Sequence, residues 1–72
     1  MNTELLKKIE DGVSNLVRGS DSINAIILFN AYESVCISIL DSTILDTQQE
    51  EKLQEELSYF LAEKAKELDV GY

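Results

Sequence analysis

Apolar residues recur every three or four positions along most of this chain, the spacing that lines side chains up on one face of an α-helix. Leu5, Leu6, Ile9, Val13, Leu16 and Val17 form the first such stripe. Asn2 or Thr3 can cap it, and Glu4 and Lys8 make a favourable pair one turn apart. Gly19 stands just past its end, with Arg18 beside the negative end of the dipole. The pattern predicts a helix over 3–18, in which Gly12 is an interior weakness of about 1 kcal/mol against Ala. The last stripe is Leu53, Leu57, Phe60, Leu61, Ala65 and Leu68. Asp46 or Thr47 can cap it, and Thr47 and Glu50 have capping-box spacing. Glu50 and Glu51 fall in its first turn, and Asp69 and Gly71 mark its end, which predicts a helix over 46–69. Lys64 lies inside this stripe, so its ammonium is expected to snorkel outward.

The middle of the chain supports two readings. As a helix over 22–41, capped by Ser20, Asp21 or Ser22, it aligns Ala25, Leu28, Phe29, Tyr32, Val35, Cys36, Ile39 and Leu40 in a stripe with no charged residue. As strands, 25–29 and 35–40 would flank a loop at 30–34, which suits the β-branched content. Residues 20–70 contain neither Gly nor Pro, and the loop offers only Asn30 as a turn former. The helix is the preferred reading. The fold expected is therefore all-α, a single domain over 1–72 built as a small three-helix bundle. The alternative is an α+β fold with a 25–40 hairpin between two helices.

A helical middle segment has a second apolar face. At about 100° per residue, Ile23, Ile26, Ile27 and Ile37 gather opposite the main stripe, around Asn30 and Ser34. Two arrangements are open. Helices 1 and 3 cover one side, leaving the isoleucines to meet another chain, or helix 2 runs centrally with a neighbour on each side. So short a chain buries only about 60% of its unfolded surface, and self-association or a permanent partner would supply the missing burial. The isoleucine face is accordingly the first candidate partner-binding site, with a homodimer or a heterocomplex as the expected state.

Composition narrows the chemistry. The 72 residues include six Lys plus Arg, fourteen Asp plus Glu and no His, for a net charge of −8. Without His there is no imidazole base, metal ligand or pH switch. The lone Cys36 rules out an internal disulfide or a cysteine zinc site, and no basic residue near it in sequence activates the thiol. Glu51/Glu55 and Glu63/Glu67 are one turn apart and would hold a divalent cation only weakly, so no metal and no cofactor is expected. No glycine-rich phosphate loop and no catalytic constellation is present, and an enzyme is not expected. The charge repels nucleic acid and anionic lipid. The N-terminus lacks a secretory h-region, and the longest unbroken apolar run, 25–29, is far short of a membrane span. The chain reads as cytoplasmic.

The acidity is uneven. Residues 1–18 hold three acids and three bases, 19–45 three acids and no base, and 46–69 eight acids and three bases. On the third helix Glu51, Glu55, Glu56 and Glu63 lie away from the leucines, with Tyr59 among them. That is either a solvated surface or a second candidate site, an aromatic anchor ringed by carboxylates for a basic protein surface. Two functions follow. The first is a non-enzymatic acidic interaction module that packs apolar helix faces against a partner helix, as a small chaperone or adaptor does. The second is an electrostatic inhibitor or immunity-type protein that masks a basic site on a nuclease, toxin or nucleic-acid-binding protein.

Overall fold

The computed structural model describes residues 3–70 and is all-α, with no strand among the described residues. Three helices follow in order: α1 over Thr3–Val17, α2 over Ala25–Ser42 and α3 over Thr47–Leu68. The hairpin alternative is excluded, because 25–42 is one unbroken helix. Asn2 and Gly71, a candidate cap and a candidate stop, lie outside the described residues.

Each helix boundary has a local cause. α1 ends at Gly19, whose φ of 83° is open to glycine without strain, and the Ser20 N–H closes back on the Val17 carbonyl at 3.2 Å. α2 begins later than the sequence pattern suggests. The cap is Asn24, whose side-chain oxygen accepts from the Ile27 N–H at 2.9 Å, rather than Ser20, Asp21 or Ser22. Ile23 therefore sits just outside the helix. At the far end of α2 the Thr43 hydroxyl donates to the Ile39 carbonyl at 2.6 Å, occupying one of the last orphan acceptors.

The α3 capping box lies one residue earlier than the Thr47/Glu50 spacing implies. Asp46 accepts from the Gln49 N–H at 2.8 Å, and the Gln49 side chain accepts from the Asp46 N–H at 3.4 Å. The carboxylate is also favoured at the positive end of the dipole, which is why Asp46 takes the cap. α3 closes with Asp69 in the left-handed region (φ 57°) and the Val70 N–H on the Ala65 carbonyl at 3.0 Å. Val70 packs back against the core, the hydrophobic contact that accompanies this type of C-terminus.

α2 is the hub. α1 and α3 each pack on it, and their own backbones do not approach one another. The core consists of Ile9 and Val13 from α1, Phe29, Ala31, Tyr32, Val35 and Cys36 from α2, and Leu57, Leu61 and Ala65 from α3. Leu16 and Leu6, both on the expected α1 stripe, remain exposed at 57% and 39%, because α1 is covered on one side only. Gly12 has a reason to be glycine: a Cβ there would stand 2.9 and 3.1 Å from the two γ-methyls of Val35. The α1–α2 crossing is set by this close approach.

Candidate functional site

The outer face of α2 comes from its position as hub. Its buried and half-buried positions run from Ala31 through Val35, Leu28, Ile39, Tyr32, Cys36 and Phe29 to Glu33, somewhat more than half the circumference. α1 and α3 share that side. Of the two arrangements open from the sequence, the structure has the one in which the isoleucines stay uncovered. Ile26 and Ile37 are 64% and 55% exposed, Ile23 and Ile27 46% and 42%. Asn30, Ser34, Ser38 and Asp41 lie between and beside them, also exposed. Large apolar side chains gathered on one helix face, rather than scattered singly, are the kind of patch that marks an interaction surface.

α2 is also longer and more apolar as a unit than its longest unbroken run of apolar residues suggests. Over its 18 residues the mean hydropathy is 1.4, so by length and composition it reaches the level of a candidate membrane span. Its outer face nonetheless carries Asn30, Ser34, Ser38 and Asp41 among the isoleucines, and Glu33 at the margin. Those polar groups would lack partners in hydrocarbon.

The second surface lies on α3. Glu51, Glu55, Glu56 and Glu63 are all exposed, and Tyr59 is 71% exposed. Glu55, Glu56, Tyr59 and Glu63 line a shallow concavity of about 570 Å³ together with Phe60 and Lys52. Glu51 lies outside it. The half-buried Phe60 forms an apolar wall, and Lys52 places one base within the acidic rim. Spacing alone points to neither, since it places Phe60 on the core stripe. Ile44, in the turn before α3, is fully exposed, and as a turn residue it lies outside every helical stripe.

Between these surfaces the three helices are tied by one polar cluster. The Tyr32 hydroxyl donates to the Glu10 carboxylate, 2.9 Å to Oε2 and 3.2 Å to Oε1. Lys64 does not snorkel outward. Its Nζ lies 4.8 Å from the Tyr32 ring centroid and 5.7 Å from that of Phe60, and it pairs with Glu67 at 3.5 Å and Glu10 at 3.8 Å. The two rings meet at 5.8 Å and 56°, an inclined arrangement that aromatic pairs favour. Burial and the hydrogen bond to Glu10 raise the Tyr32 pKa above its ordinary 10.0. For Lys64, burial pulls the pKa down, but Tyr32, Glu67 and Glu10 together outweigh it and raise the value. At neutral pH this cluster is a neutral phenol and a charged ammonium holding α1, α2 and α3 together. It is a structural anchor in which neither the phenol nor the ammonium exchanges a proton near pH 7.

Cys36 is 2% exposed, and burial, with a smaller contribution from Glu33, pushes its thiol up to about 11. It is a packing residue. Among the described residues, no three Cys, Asp or Glu side chains converge closely enough to hold a metal ion. Compared with family models, with curated proteins and with solved structures, the chain matches none. The functional reading therefore rests on the surfaces described above.

Proposed function

We propose that this chain is a non-enzymatic helical interaction module that packs the uncovered face of α2 against a helix of another protein molecule, as a small chaperone or adaptor does. The observation that carries this reading is the exposure of Ile26, Ile27 and Ile37 on a helix whose opposite side is the core, with Ile23 exposed just before its start. Exposed isoleucine at this density serves neither solubility nor internal packing. The test replaces Ile26 and Ile37 together with Asp. Both side chains are more than half exposed, so the helical circular dichroism should be unchanged while the enhancement of anilinonaphthalenesulfonate fluorescence falls. Equal dye fluorescence in the wild type and the double variant would refute the reading.

A second reading is favoured by the concavity around Tyr59, whose rim is Glu55, Glu56 and Glu63. A basic protein surface could place a Lys or Arg there, over the aromatic ring and among the carboxylates. Such binding weakens steeply with salt. Titration with oligolysine at low and high ionic strength, in the wild type and in Tyr59→Ala, tests it. Affinity insensitive to both changes would rule it out.

A further inference from the structure

We infer that the occupant of the α2 face is a second copy of this chain, docked as an antiparallel two-fold helix pair in which position 26 meets 37 and position 30 meets 33. This rests on the interaction-module reading above and names its partner.

The register comes from spacing. Ile26, Asn30, Glu33 and Ile37 follow one another at intervals of four, three and four residues, the seam along which two helices pack side by side. This seam reads almost the same from either end: an exposed isoleucine, two polar residues, an exposed isoleucine. A surface that repeats under reversal is what a two-fold interface needs, since each patch must fit itself. Reversed pairing places Ile26 on the partner's Ile37 at both ends, about 16 Å apart along the helix. At the centre it sets the Asn30 amide, a donor, against the carboxylate of the partner's Glu33, twice across the axis.

Charge selects the direction. α2 carries two acids, Glu33 and Asp41, and no base. A parallel pair would stack Glu33 on Glu33 and Asp41 on Asp41 with nothing to offset them. The antiparallel pair draws the two Asp41 side chains far apart, offsets the two Glu33 by about 4.5 Å along the axis so that each faces an Asn30 amide, and brings Asp41 over the N-terminal end of the partner's α2, where the dipole favours a negative charge.

Area sets the strength. The four isoleucines leave roughly 350 Å² of apolar surface in water per chain, below the ~800 Å² per partner of a tight standard interface. The expected dimer is therefore weak and reversible. Each chain carries −8, so salt should strengthen the dimer by screening their mutual repulsion, opposite to what the Tyr59 surface would show.

The test is light scattering after size exclusion from about 10 µM to 1 mM, at low and high salt, joined to cysteine cross-linking. The expected result is a mass rising towards twice 8.1 kDa with concentration, more readily at high salt, and a monomer for the Ile26→Asp/Ile37→Asp variant. Under mild oxidation, Ile26→Cys mixed with Ile37→Cys should cross-link, whereas Ile26→Cys alone should not. Cross-linking of Ile26→Cys to itself would overturn the antiparallel register. A dimer indifferent to the Asp substitutions would overturn the surface. A wild-type monomer throughout would overturn the second copy as occupant. If that monomer still shows dye fluorescence that the Asp variant loses, the module reading stands with a different helix as partner; if it does not, both fall.

Discussion

Gly12→Ala probes the contact that fixes how α1 lies on α2. In an unconstrained helix interior the change stabilises by about 1 kcal/mol. Here the new methyl would stand 2.9 Å from one γ-methyl of Val35 and 3.1 Å from the other, against the ~3.5–4.0 Å of an ordinary carbon contact. Rotating Val35 relieves only one of the two contacts, because a methyl stays in the other position, and a valine in a helix holds one rotamer about 90% of the time. Relief requires α1 to move off α2, opening gaps around Ile9 and Val13. Such overpacking costs about 1–3 kcal/mol. Taken near 2 kcal/mol, it outweighs the propensity gain and leaves Gly12→Ala destabilised by about 1 kcal/mol.

In a Val35→Ala background the sign should reverse. What remains is the Cβ of residue 35 at 3.6 Å, an ordinary contact, and Gly12→Ala should then stabilise by about 1 kcal/mol. The coupling between the two sites is the difference, about 2 kcal/mol. Urea unfolding of the four proteins, followed by circular dichroism at one fixed protein concentration, measures it. With a slope near 1 kcal/mol per molar urea, each step moves the midpoint by about 1 M. Gly12→Ala stabilising equally in both backgrounds would refute the claim that Gly12 is there for the close approach.

Asp46→Ala removes the α3 cap and should lower stability by about 1 kcal/mol in the same urea assay, with Asp46→Asn largely retaining it. Tyr32→Phe leaves the ring packing but deletes the hydroxyl on Glu10, a half-exposed carboxylate that water can re-solvate, so a loss of about 1 kcal/mol is expected. Lys64→Ala should cost more than Lys64→Met in the same assay, since both lose the charge that Nζ places over two rings but Met keeps a long apolar chain in the half-buried position. Alkali should destabilise the protein. The folded pKa of Cys36, about 11, is above its ordinary 9.0, so its contribution is intact below pH 9 and is lost as pH rises towards 11. That loss is about 2 kcal/mol by about pH 10.5, and Cys36→Ala should remove it. Tyr32 and Lys64, also raised, add further loss above pH 10 in the same direction. Stability measured from pH 8 to 11 checks the sign; a rise above pH 9 would contradict it.

The chain's periodicity was enough to specify the first and last helices and to favour a helix over a hairpin between them, because a 3.6-residue repeat and the absence of Gly and Pro over 20–70 leave a strand little room. It also specified which residues of α3 turn away from the leucines, since a helix face follows from spacing alone. Boundaries were less legible. At the start of α2, Asn24 caps the helix where Ser20, Asp21 and Ser22 offer similar propensity, and spacing alone does not choose among them; at α3 the carboxylate of Asp46 takes the cap ahead of Thr47. The role of Gly12 was hidden because a residue 23 positions away supplies the methyls that exclude a side chain. A tyrosine and a lysine on core stripes each require a polar partner, and that much is written in the sequence. That both find Glu10 is not, because the pairing spans three helices. The isoleucine face is visible as a pattern on a helical projection, but its exposure depends on both neighbours choosing the same side of α2. Side-chain spacing is local and periodic, so the sequence determines it; coverage is a property of how helices share space, so the tertiary structure decides it.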